Sequence, residues 1–89
     1  MKEDPNTFYA LWTGYLVTLD SLPAEIEAIE SLGNQHALRI LPHEGLKKKL
    51  LIEKLRSLAF VESHVPLTGS ELNRKMREYG FQSKIPDTD

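Results

Sequence analysis

The residues best suited to do chemistry in this chain are basic, and they fall late. Lys47, Lys48 and Lys49 run together, Lys54 and Arg56 follow, and Arg74, Lys75 and Arg77 return with Asn73 beside them. Ammonium and guanidinium groups take phosphate oxygens, and Asn or Arg can bond base edges in a major groove. Lys47, Lys48, Lys54, Asn73, Arg74, Lys75 and Arg77 are therefore the candidate nucleic-acid contacts, with duplex DNA as the ligand. The charge is sorted along the chain. Residues 1–33 carry one basic and six acidic side chains, while residues 34–89 carry ten basic and seven acidic ones. The net charge of −2 gives no long-range pull on a polyanion, so any such binding must come from a local patch. Glu53, Glu71 and Glu78 dilute that patch, and a solvated helix face gives the same pattern. A protein–protein interaction module, an adaptor or inhibitor that touches no nucleic acid, is the alternative.

Signals for catalysis or metal binding are weak. His43-Glu44 resembles the start of a helical zinc motif, but Lys47 stands where the second histidine belongs. His36, His43 and His64 have no common ligand spacing. Gly69-Ser70 lacks the flanking glycine of a nucleophile elbow, and the five glycines are too scattered for a phosphate loop. The expectation is a non-enzymatic regulatory protein with no catalytic residue, no metal and no cofactor.

With 89 residues, the chain is expected to form one domain that buries roughly 60–65% of its unfolded surface. Residues 1–4 and 82–89 are expected to be flexible. There is no cysteine, which excludes disulfides and thiolate chemistry and suits a reducing compartment. The N-terminus lacks the basic start of a signal peptide. The uncharged run from Pro5 to Leu19 is shorter than the about 20 residues that span a bilayer. The predicted setting is cytoplasmic, with no membrane contact.

Helical spacing leads the assignment of elements. Phe8, Leu11, Trp12, Tyr15, Leu16 and Leu19 fit one helix face, with Asp4 as N-cap and Pro5 at the first helical position. Leu22, Ile26, Ile29 and Leu32 fit a second helix that Gly33 would stop. Residues 34–43 read equally as a short helix capped by Asn34 or as a strand over Ala37–Leu41. Leu46, Leu50, Leu51, Leu55, Leu58 and Ala59 line a helix from about Glu44 to Phe60. Thr68 and Glu71 form a capping box, Leu67 and Leu72 a hydrophobic staple, and Gly80 with Phe81 a C-terminal stop.

The spacing thus predicts a mostly α protein, a compact bundle of four or five short helices. The alternative is an α+β domain with strands near Tyr15–Leu19 and Ala37–Leu41. In the helical reading the first helix is apolar nearly all round and carries small residues at Ala10, Gly14 and Thr18. Such a helix must be enclosed. Leu11, Gly14, Tyr15 and Thr18 are the candidate self-association residues, and a homodimer is the predicted assembly.

Overall fold

The computed structural model describes residues 5–59 and 62–84. It is not a helical bundle. Four antiparallel strands, β1 (Phe8–Thr13), β2 (Ala24–Leu32), β3 (Gln35–Pro42) and β4 (His64–Leu67), form one sheet in the order β2-β3-β1-β4. Two helices, α1 (Lys48–Leu58) and α2 (Gly69–Tyr79), complete the fold. The architecture is α+β, as in the alternative above, but only one of that alternative's two strands is found. Residues 37–41 lie within β3, whereas Leu16–Leu19 is a single 3-10 turn.

β1 overturns the expected first helix, and its burial explains why. All six of its residues are buried. Phe8, Ala10 and Trp12 point to one face, where Leu51 and Leu55 of α1 cover them. Tyr9 and Leu11 point to the other, against Leu72 and Met76 of α2. The sheet is thus a middle layer with one helix on each side. A strand covered on both faces is apolar at every position and loses the period of two that would identify it. Lys48 at the start of α1 sets its ammonium 5.6 Å from the centre of the Phe8 ring, a cation–π contact over that core.

β2 overturns the second expected helix. It pairs with β3 from Ala24↔Pro42 to Leu32↔Gln35, with a bulge between Ala28 and Glu30. Ile26 packs towards the α1 side and Ile29 towards the α2 side, so the apparent helical stripe does not share a face. Gly33 does not stop a helix. With φ +64° it takes the first central position of the two-residue β2–β3 turn, which favours glycine there. β1 and β2 both run antiparallel to β3 and so are parallel to each other. Residues 14–23 cross from one to the other over the α1 face and press Leu16, Leu19 and Leu22 onto the core.

α2 lies where the spacing put it, whereas α1 starts at Lys48, four residues after the expected Glu44, and leaves Leu50 and Leu58 of the expected apolar face exposed. α1 buries Leu51 and Leu55; Phe60, the expected helix end, lies outside the described residues, as does the expected cap Asp4. In α2 the Thr68 Oγ1 accepts from the Glu71 N–H at 3.1 Å, and the Glu71 carboxylate accepts from the Thr68 N–H at 2.8 Å. Leu67 and Leu72 join the same core. At the far end Gly80 has φ +88°, and Phe81 N–H returns to the Met76 carbonyl at 2.9 Å. Met76 and Phe81 also share a core, so the cap is tied by both a hydrogen bond and an apolar contact. Of the ends expected to be flexible, residues 1–4 and 85–89 lie outside the described residues. Gln82 and Ser83 donate their N–H groups to the Glu30 carboxylate.

Candidate functional site

The basic side chains divide between the two outer layers. Lys47 precedes α1, Lys48 begins it, and Lys54 follows on it; Lys47 and Lys54 are exposed. Asn73, Arg74, Lys75 and Arg77 belong to α2, on the opposite side of the sheet. The fold brings the first three together and the last four together, but it does not join the two sets into one surface. Asn73 is only 6% exposed and faces inward, away from any base edge. Arg74 and Arg77 remain exposed.

The proposed self-association residues scatter. Leu11 is fully buried in the α2-side core and Gly14 is buried at the end of β1, while Tyr15 and Thr18 are exposed on the crossover. Since 8–19 is not a helix, the small-residue stripe has no geometric existence. The protein's own layers enclose Phe8–Thr13, while Tyr15 and Val17 stay exposed, so the argument from a helix apolar all round no longer applies.

The histidines are apart and have local partners or solvent. His36 is buried, with Nδ1 2.6 Å from Ser31 Oγ and Nε2 3.0 Å from the Gly14 carbonyl. A carbonyl can only accept, so Nε2 donates to it, while Nδ1 pairs with the serine hydroxyl. His36 therefore locks the end of β1 to the β2–β3 hairpin. His64 Nε2 lies 3.4 Å from the Tyr79 hydroxyl, with the rings edge to face, and His43 is exposed. Among the described residues no group of three or more metal-ligating side chains gathers, and no helix is long and apolar enough to cross a membrane.

The most distinctive surface is one that helical spacing concealed: the outer edge of β2. Nine residues long, it is an end strand of the sheet, and among the described residues no strand lies beyond it. The direction of its backbone groups follows from the pairing with β3. His43 N–H bonds the Pro23 carbonyl at 3.0 Å, which makes 23/43 a hydrogen-bonded pair directly opposite one another. Antiparallel pairs alternate between bonded and non-bonded, so Glu25 and Glu27 bond inward while Ala24, Ile26 and Ala28 turn their backbone groups outward. The Ala24 N–H is taken by the Leu22 carbonyl at 2.8 Å. The N–H groups of Ile26 and Ala28 and the carbonyls of all three face away from the sheet.

Concave surfaces flank this edge on both sides. On the α1 side a cavity of about 260 Å³ lies between the crossover and the sheet, lined by Leu16, Leu19, Asp20, Ala24, Ile26, Ala28 and Leu38. On the α2 side, where α2 covers β1 and β4 rather than β2, a cavity of about 230 Å³ is lined by Glu25, Glu27, Arg39 and Leu41 with Ile26. Arg39 reaches Glu27 at 3.4 Å across the strands. Glu30, further along, is held below the usual carboxylate range, chiefly by the Gln82 N–H and also by the Ser83 side chain and N–H. The sequence signal for this site was the alternation Ala24-Glu25-Ile26-Glu27-Ala28, which is that of a half-covered strand.

The fold and this edge define an α+β protein layered helix–sheet–helix, with one long open strand. No family model matches the chain, and no curated protein and no solved structure matches it.

Proposed function

We propose that this is a small, non-enzymatic regulatory protein that acts as a protein-interaction module, taking an extended segment of a partner along the outer edge of β2. The observation that carries this reading is the outward-facing backbone of Ile26 and Ala28 between two cavities. An unpaired edge of this length is a template for strand addition unless it is blunted. The opposite edge is blunted: β4 has four residues and contains Pro66. β2 is long and free of proline; its bulge lies beyond Ala28, so Ala24–Ala28 stays regular, and its exposed Glu25 and Glu27 guard that stretch by charge alone. In strand addition the main chain supplies affinity, and pockets on alternate sides supply specificity. The lack of cysteine suits a reducing, cytoplasmic setting for such a protein.

The test is selection from a random peptide library on the full chain and on Ala28→Pro. Proline at 28 removes an outward N–H while leaving the ladder to β3 intact. The expected result is a set of peptides enriched on the wild-type chain and lost on the variant. Enrichment of nothing, or of peptides indifferent to Ala28→Pro, would remove the reading.

A second reading keeps one observation in its favour. Lys47, Lys48, Lys49, Lys54 and Arg56 all belong to α1 or its first turn, so α1 alone could lie along a phosphate backbone. It would do so without α2 and without Asn73, which leaves phosphate contact and no base readout.

A further inference from the structure

We infer that the segment received by β2 is a basic–apolar–basic strand, with lysine or arginine at alternate positions facing Glu25 and Glu27 and an apolar side chain between them facing Ile26. This rests on the edge-binding reading above and deepens it by naming the partner's chemistry. Glu25 and Glu27 point to the α2 face of β2, two residues apart and so about 7 Å from each other. Both are exposed. A strand added to an antiparallel edge places its residues directly opposite those of β2, with side chains of each pair on the same face. Cations at positions i and i+2 therefore meet the two carboxylates. The intervening residue turns to the other face, beside Ile26, Leu16 and Leu19 in a cavity whose lining also includes Asp20. Arg39 meets Glu27 from β3, and with Glu25 the face retains a negative balance.

The same charges argue against a second copy as the occupant. Antiparallel pairing of β2 with itself extends the sheet about a two-fold axis through its plane, which puts both copies' Glu25 and Glu27 on one face. Like charges across such a ladder are unfavourable. Glu30 takes no part, because it already accepts from Gln82 and Ser83.

The experiment uses the full chain and a fluorescein-labelled, capped nine-residue peptide in which lysine and valine alternate, followed by fluorescence anisotropy. Controls are the same peptide with glutamate for lysine, and one with N-methylated amides on its inward edge. The protein variants are Glu25→Lys/Glu27→Lys and Ala28→Pro, with circular dichroism to show that each is folded. The inference expects the lysine peptide to bind, the glutamate peptide to bind at least tenfold more weakly, and the double variant to exchange those preferences. N-methylation and Ala28→Pro should each abolish binding. Loss on Ala28→Pro or on N-methylation with no response to charge reversal would overturn the charge inference and leave the edge reading standing. Binding that ignores both Ala28→Pro and N-methylation, or no binding at millimolar protein, would overturn both. A dimer in sedimentation that Ala28→Pro dissociates would assign the edge to a second copy and overturn the inference.

Discussion

Leu11 and Tyr15 separate a two-sided central strand from an exposed apolar helix. Leu11 is 0% exposed, packed among Ala37, Leu72 and Met76, whereas Tyr15 is 78% exposed on the crossover. Leu11→Ala deletes three carbons from a fully buried site. At about 0.8 kcal/mol per methylene the transfer loss is about 2.4 kcal/mol. The residual cavity brings the total to roughly 3–4 kcal/mol. For a domain of this size that lowers the melting temperature by on the order of 15–25 °C. Tyr15→Ala removes a larger side chain but should stay within about 0.5 kcal/mol. The assay is urea and thermal unfolding of both variants at two protein concentrations tenfold apart. Two results would refute the reasoning: a Leu11→Ala cost below about 1 kcal/mol, or losses from both variants that shrink as concentration rises. The latter is the signature of a shared interface between copies.

Three further outcomes follow from local geometry. Gly80→Ala should cost about 1 kcal/mol in urea unfolding, through the backbone alone, since φ is +88° and no atom lies within 4 Å of the added Cβ; an unchanged midpoint would contradict the cap described at α2. Glu30 titrates below its ordinary value of 4.5 in the folded chain, so its stabilising contribution is present above that value and is lost as pH falls through the depressed one. Glu30→Gln should accordingly be less stable than wild type at pH 7, with the two unfolding curves converging as the pH is taken progressively below 4.5. If α1 alone touches a phosphate backbone, duplex titrations should give a log–log salt slope of roughly −2 to −3 for about three contacts. Lys47→Ala/Lys48→Ala should then weaken binding while Arg74→Ala/Arg77→Ala leaves it unchanged, and equal effects from the two pairs would mean that the basic sets do act as one surface.

How much the sequence disclosed depends on which elements are one-sided. α1 and α2 each bury a single stripe and expose the rest, so periodicity found both, and the Thr68–Glu71 box fixed the start of α2 to the residue. β1 was hidden because Phe8, Ala10 and Trp12 serve one core while Tyr9 and Leu11 serve the other, which leaves no polar face to mark a period. In β2 the bulge at Ile29 spoiled the count. Its extra residue turned the spacing of Leu22, Ile26, Ile29 and Leu32 into an imitation of helical rows, although Ala24–Ala28 alternates cleanly. The site followed the same logic. Lys47, Lys48 and Lys54 could be placed on one helix from spacing, as could Arg74 and Arg77. That the two helices sit on opposite sides of a sheet is a fact of topology, and nothing local in the sequence encodes it. Asn73 was legible as inward-facing, since its i, i+3 spacing sets it beside Met76 on the buried face of α2; its residue type, not its position, suggested a base contact. The β2 edge was legible only to a reader who already took 24–32 for a strand.

β1 occupies an inner position of the sheet, yet it precedes the other three strands in the chain. Its neighbour β4 arrives much later: Thr13 N–H bonds Ser63 Oγ across a separation of 50 residues. The β2–β3 hairpin can close as soon as its own residues emerge, since its turn is two residues long, and β1 can then lie down beside β3. At that moment Tyr9 and Leu11 have no helix above them and the other rim of β1 has no partner, because both belong to the last third of the chain. Until β4 and α2 have emerged as well, β1 is paired along one rim only and its Tyr9 and Leu11 face is uncovered, so closing the sheet waits on contacts some 50 residues distant.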